Sequence, residues 1–170
     1  MESEYAVVDL LKREKLKLVV AESCTAGALA ARIVNVPGAS DVLNGGFITY
    51  TDRAKHKMLG VSEMTLETCG AVSQRCAAEM AEGAVKEGEG DVGISVTGLA
   101  GPGGGTRETP VGTVFIGCRA RGNTVVKEFH FPGSRSEVRS AAVEKALLLL
   151  LECCRRASGE TAGKGQETGH

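Results

Sequence analysis

The sequence predicts an α/β fold, a three-layer α/β/α sandwich with a mixed central sheet. Two observations carry that expectation. Short β-branched runs alternate with helix-like stretches through the first two thirds of the chain, the pattern of strands joined by crossover helices. Toward the C-terminus two strand-like runs follow each other across Arg121-Gly122-Asn123 alone, a hairpin that adds an antiparallel portion.

The elements follow in order. Val7, Val8, Leu10 and Leu11 give residues 4–13 one apolar face, a short amphipathic helix. Leu16 to Ala21 is a compact apolar run, expected as a buried strand. From Cys24 to Val34 small residues mix with Leu29 and Ile33, a helix able to lie close to a sheet, closed by Pro37-Gly38. Phe47 to Thr49 is the next expected strand, and Asp52 to Met58 a helix ended by Gly60. Ser73 is a good N-cap for a helix reaching Gly88. Val92 to Val96 is strand-like, and 112–119 and 124–131 form the hairpin. Ser134 and Glu137 match a capping box for a last helix from Arg135 to about Arg156. We expect one domain over residues 1–157. A tail over 158–170, polar and without apolar anchors, is expected to be disordered.

Composition excludes several classes of function. A net charge of −1 over 170 residues gives no electrostatic footprint for nucleic acid. The longest apolar run, Leu147 to Leu151, falls far short of the ~20 residues that span a bilayer. The N-terminus is charged from Glu2 onward and shows no signal-peptide core, so a cytoplasmic protein is expected. Six cysteines and three histidines form no CxxC knuckle and no HxxxH pair. Neither a structural metal, a required disulfide nor a cofactor is expected.

Four constellations have the residue types for chemistry. Ser23 follows an apolar strand and precedes a helix, where backbone N–H groups can receive an anion or serve as an N-cap's partners. Cys24 stands beside it, but a thiolate needs a cationic or histidine partner, and none is in view. Tyr50 ends a strand, with Lys55 on the helix that follows. Lys55 becomes a base only if its pKa is lowered, and Arg53 and Lys57 are cations that would push that way. The third is the glycine-rich run from Gly98 to Gly105, after a strand and next to Thr97. It fits neither a P-loop nor a dinucleotide fingerprint, yet its bare backbone can approach a ligand. Arg135 and Arg139, four apart on the last helix, either hold a phosphate or form a solvated face.

Taken together, Ala21-Glu22-Ser23-Cys24-Thr25-Ala26-Gly27, Gly46-Phe47-Ile48-Thr49-Tyr50 with Ala54-Lys55, and Gly70-Ala71-Val72-Ser73 resemble the CinA C-terminal domain family. Gly98-Leu99-Ala100-Gly101-Pro102-Gly103-Gly104 and Pro110-Val111-Gly112-Thr113-Val114 extend the resemblance over roughly residues 5 to 155. It departs mildly at Ala26, where a glycine is frequent, and the N-terminal domain of many members is not in this sequence. The resemblance implies an amidase converting nicotinamide mononucleotide to nicotinate mononucleotide and ammonia. It places the nucleophile at Ser23, with Tyr50 and Lys55 as partners. On that reading Thr25 helps receive the oxyanion. The phosphate rests on the loop through Thr97, Gly98, Gly101 and Gly104, with Arg135 or Arg139 nearby.

Two other functions suit the same sequence. One is a catalytically silent nucleotide-binding module that uses the glycine loop. The other is an interaction protein whose surface is the leucine run. Whatever the function, a homo-oligomer, a dimer first, is expected.

Overall fold

The computed structural model describes residues 1–162. Five strands form one sheet in the order β2-β1-β3-β4-β5. They are β1 Leu18–Glu22, β2 Leu43–Ile48, β3 Val92–Gly98, β4 Thr113–Ala120 and β5 Asn123–His130. The first three run parallel, with β1 between β2 and β3, and β4 and β5 add antiparallel pairings. The helices are α1 Ser3–Glu14, α2 Ala28–Val34, α3 Asp52–Leu59, α4 Glu63–Thr68, α5 Gln74–Glu87 and α6 Arg135–Ala162, with a 3-10 turn at Ala39–Asp41.

The three layers follow from the alternation of β1. All five of its residues are buried, as expected of a central parallel strand covered on both faces. Leu18 and Val20 point into the core made by α1, α2 and α6, whereas Val19 and Ala21 point into a second core with Leu59, Cys76, Met80 and Ala84. Small residues let α5 ride close on the sheet. A Cβ at Gly93 would fall 2.3 Å from the Ala81 carbonyl oxygen, so only glycine admits that approach.

The expected mixed sandwich is the observed one, and its differences from expectation are local. Strand β2 begins at Leu43, four residues before the expected start, because pairing with β1 overrides the poor strand propensity of Gly45-Gly46. Gly46 is needed there, since a Cβ would sit 2.4 Å from Val20 Cγ2. Helix α2 begins at Ala28 and not at Cys24, because Ala26 and Gly27 take positive φ values of 47° and 98°. The short helix α4, capped by Ser62, was not foreseen. Ser73 caps α5 as expected, and Ser134 and Glu137 form the reciprocal capping box. Helix α6 runs past Arg156 to Ala162; the expected tail overlaps its last turn and otherwise lies outside the described residues.

The leucine run lies mostly inside the molecule. Leu147, Leu149, Leu150 and Leu151 are buried in the core, leaving Leu148 alone partly exposed. Among the described residues no helix is long and apolar enough to cross a membrane.

Candidate active site

Three parallel neighbours, β2, β1 and β3, end on the same edge of the sheet, and the connections leaving β1 and β2 pass to opposite faces. Open α/β sheets bind ligands at such a point, outside the carboxyl ends of the strands. Ser23 follows β1, Thr49 and Tyr50 follow β2, and Thr97 and Gly98 close β3. The cleft they border has a volume of about 220 Å³ and is lined by Ser23, Cys24, Tyr50, Asp52, Lys55, Thr97, Gly98 and Arg135, together with Ala71, Val72, Leu99, Ala100, Gly101 and Gly103.

At its floor Lys55 is 1% exposed, and its Nζ bonds Ser23 Oγ at 2.9 Å and the Thr49 carbonyl oxygen at 2.8 Å. No carboxylate pairs with this ammonium among the described residues, so burial holds the Lys55 pKa below the usual lysine value, opposed by Cys76, Asp52 and Cys24. The expected cause was different. Arg53 and Lys57 do not contribute to the shift, because both project into solvent on the outer side of α3.

Cys24, beside the serine, is 5% exposed and its thiol is pushed up to about 11, chiefly by burial. A thiol so far above neutrality is a poor source of thiolate. The nucleophilic equipment of this cleft is therefore the Ser23 hydroxyl with the Lys55 amine.

The turn 23–27 is clamped from two sides. Glu22, fully buried, accepts the N–H groups of Leu29 at 2.9 Å and Ala30 at 3.1 Å, so the first donors of α2 are already occupied. Arg139 donates from Nε to the Cys24 carbonyl at 2.9 Å and from an Nη to the Thr25 carbonyl at 3.0 Å. Among the described residues no backbone carbonyl takes the N–H of Cys24 or Thr25, and the Cys24 N–H lies against its own thiol. The first turn of the helix, where oxyanion donors were expected, is thus already taken up by Glu22. In a trans peptide, drawing the Cys24 carbonyl toward Arg139 turns the Thr25 N–H to the opposite side.

The other expected site residues divide. Tyr50 lines the cleft with 56% exposure, and its hydroxyl accepts from Arg135 at 2.8 Å, which leaves it outside the Ser23–Lys55 contact. Arg135 also donates to the Gly101 carbonyl at 2.7 Å, tying the glycine loop to the cleft mouth. Thr97 is 1% exposed and spends its hydroxyl on the Ala71 carbonyl. Gly98 is fixed by β4, because a Cβ would meet the Thr113 carbonyl oxygen at 2.8 Å. Gly101 lines the cleft with a φ of 85°, whereas Gly104 is not among the lining residues. Thr25 is fully buried, with no hydrogen-bond partner for Oγ1 among the described residues, and does not line the cleft. Arg139 is half-buried and spends Nε and one Nη on bracing the turn. Asp52, Glu22 and the Thr49 carbonyl were not anticipated. A carboxylate directly before the serine was the available signal for Glu22. Among the described residues no group of three or more His, Cys, Asp or Glu side chains is arranged to hold a metal ion.

A buried serine–lysine contact at the carboxyl edge of a mixed α/β sheet defines the class of site in this chain. The chain belongs to the CinA family, whose C-terminal domain matches residues 1–154. It is 47% identical over 144 residues to a CinA-like protein of Thermotoga neapolitana, covering 85% of this chain and 35% of that relative. The chain spans about a third of the length of the curated relatives it matches. Two solved structures agree in fold. The competence/damage inducible protein CihA from Agrobacterium tumefaciens superposes with a TM-score of 0.86 at 40% identity, covering 88% of this chain and 92% of that one. A CinA superfamily protein from Escherichia coli gives 0.84 at 40% identity, covering 88% of each chain.

Proposed function

We propose that this domain is an amidohydrolase that converts nicotinamide mononucleotide to nicotinate mononucleotide and ammonia through a Ser23 acyl-enzyme. The observation that carries the reading is the 2.9 Å contact between Ser23 Oγ and a buried lysine with a lowered pKa. A neutral amine beside a hydroxyl is a sufficient base for acyl transfer without a metal.

In its reactive form Lys55 is neutral and keeps one N–H on the Thr49 carbonyl, which aims its lone pair at the Ser23 hydroxyl. Lys55 takes the Ser23 proton as Oγ attacks the carboxamide carbon. The carbonyl electron pair moves onto oxygen, where backbone N–H groups of the turn after Ser23 receive it. Collapse of the intermediate breaks the C–N bond, and the Lys55 proton passes to the leaving nitrogen, which departs as ammonia. Water then enters, gives a proton to Lys55 and cleaves the ester, returning Ser23 to its hydroxyl form. Arg135, at the mouth beside the glycine loop, is the cation placed to meet the phosphate.

Ammonia release from nicotinamide mononucleotide, compared with free nicotinamide and the dinucleotide, tests the proposal. The mononucleotide is expected to be preferred, and activity is expected to survive prolonged EDTA treatment. Equal turnover of free nicotinamide would remove the role of the phosphate. No ammonia from any of the three would leave a silent binding module of the same fold.

A further inference from the structure

The cleft holds one acid and one aromatic ring, and the proton-transfer chemistry uses neither. Asp52 is the sole carboxylate among the lining residues, it is exposed, and no salt bridge engages it among the described residues, its charge reaching Lys55 only through space. Tyr50 is the sole aromatic lining residue, and Arg135 anchors its hydroxyl so that the ring stands at the mouth. The residue between them settles their direction. Thr51 is extended, with φ −116° and ψ 161°, and its own side chain turns away to accept the Ala54 N–H as the cap of α3. In extended backbone, residues two apart project to the same side, so Tyr50 and Asp52 share one wall of the cleft.

We propose that the Tyr50 ring and the Asp52 carboxylate together recognise a cationic aromatic ring, which is the pyridinium of the substrate in the reading above, on which this inference rests. A pyridinium gains from a π face on one side and a carboxylate within a few ångströms, and a neutral ring of the same shape gains from neither charge term. The wall thereby distinguishes an N-ribosylated pyridine from a neutral one. Arg135, which holds the Tyr50 hydroxyl at the same mouth, is the cation left to meet the phosphate, so the cleft offers both signs of charge to one nucleotide.

The competing explanation for Asp52 is that of a first-turn acid complementing the α3 dipole. That role is indifferent to ligand charge, and the two are separated by binding measurements on the Ser23→Ala protein, which holds substrate without turning it over. The probes are nicotinamide mononucleotide and its reduced form, whose ring is neutral while amide and phosphate are unchanged. The oxidised form is expected to bind about tenfold more tightly, the scale of one partly solvated charge contact reinforced by an aromatic face. Asp52→Asn in the same background brings that ratio to within about twofold of one, and Asp52→Glu, which keeps the charge, preserves it. Tyr50→Leu lowers the ratio while affecting the reduced form less. Equal binding of the two forms by the Ser23→Ala protein overturns the inference, as does a ratio unchanged by Asp52→Asn. Binding of neither form removes the mononucleotide reading itself, and is seen separately from a loss of charge preference.

Discussion

Ser23 Oγ and Lys55 Nζ lie 2.9 Å apart although 32 positions separate them in sequence. Neither residue brings the other into place. The serine is carried by the turn after β1 and the lysine by α3, and the parallel pairing of β1 with β2 aligns the two. The Thr49 carbonyl, one step beyond β2, completes the geometry by taking a second bond from the amine. A lysine bonded to two neutral oxygens in a buried site is arranged to lose its proton, whereas one paired with a carboxylate would keep it.

The first prediction concerns the attacking atom. Ser23→Ala is expected to lower turnover by roughly 10³-fold or more, because without a covalent nucleophile only binding and electrostatics remain. Cys24→Ala is expected to stay within about tenfold of wild type, its buried thiol acting as packing. Ammonia release by both variants is the measurement. The opposite ranking would make this a thiol enzyme.

The second concerns the base. If Lys55 acts neutral, kcat/KM falls on the acid side of an apparent pKa below the ordinary lysine value. Lys55→Arg keeps a positive charge but cannot deprotonate at working pH, so turnover is expected to drop by at least about 100-fold. A pH–rate profile of wild type, beside the activity of the Arg variant, reads both effects. Near-normal turnover by Lys55→Arg would mean that the position supplies charge and not basicity.

The third concerns Arg139, whose hydrogen bonds go to the backbone of the turn after Ser23. Removing it frees the Cys24–Thr25 peptide to rotate, and the cost falls on the transition state. Arg139→Ala is expected to lower kcat by about 10- to 100-fold, toward the loss of one oxyanion donor, with KM changed less than about threefold. Arg139→Lys recovers little, since one ammonium does not reproduce a fork that spans two carbonyls. A rise in KM without a fall in kcat would return Arg139 to substrate binding.

The sequence made the frame of this molecule readable because the frame depends on periodicity. The β1 run, the Ser73 cap and the Ser134–Glu137 box are local signals that tertiary packing did not overrule. Ser23 and Lys55 could be named as candidates from residue type and position at element ends. Their contact could not, because it depends on strand register between β1 and β2. The source of the Lys55 shift was misassigned for a related reason. Arg53 and Lys57 are near in sequence, but on a helix they face away from the i, i+4 stripe that enters the core. Arg139 was equally opaque, since spacing along α6 says nothing about a carbonyl more than a hundred residues away.

The fourth prediction uses a glycine inside a helix. Gly→Ala in a helix interior ordinarily stabilises by roughly 0.5–1 kcal/mol through chain entropy. At Gly83 a Cβ would fall 1.9 Å from the Leu59 carbonyl oxygen, where α5 packs against the end of α3. Backbone cannot yield as a flexible side chain does, so overpacking of about 1–3 kcal/mol outweighs the propensity gain. Gly83→Ala is expected to lower Tm by several degrees, about 2–4 °C per kcal/mol for a domain of this size. Because α3 carries Lys55, activity should fall alongside stability. An unchanged or raised Tm would show that the two helices separate easily.

The last prediction follows from the stability side of the same lysine. Burial lowers the folded-state pKa of Lys55, so between that value and the unfolded value near 10.4 the unfolded chain binds the extra proton. Stability from this group therefore rises with pH, and its penalty grows as pH falls from about 10 toward the folded pKa. Lys55→Met keeps most of the buried volume and removes the titration. The variant loses the bonds to Ser23 and Thr49 at every pH, a constant offset that does not alter the slope. The expected result is a Tm difference between Lys55→Met and wild type that moves in favour of the variant as pH is lowered from 10 to 7. Thermal unfolding of both proteins across that range measures it. A difference independent of pH would mean that Lys55 titrates alike in the folded and unfolded chain, and the Ser23 hydroxyl would then face a protonated amine at neutral pH and lack its base.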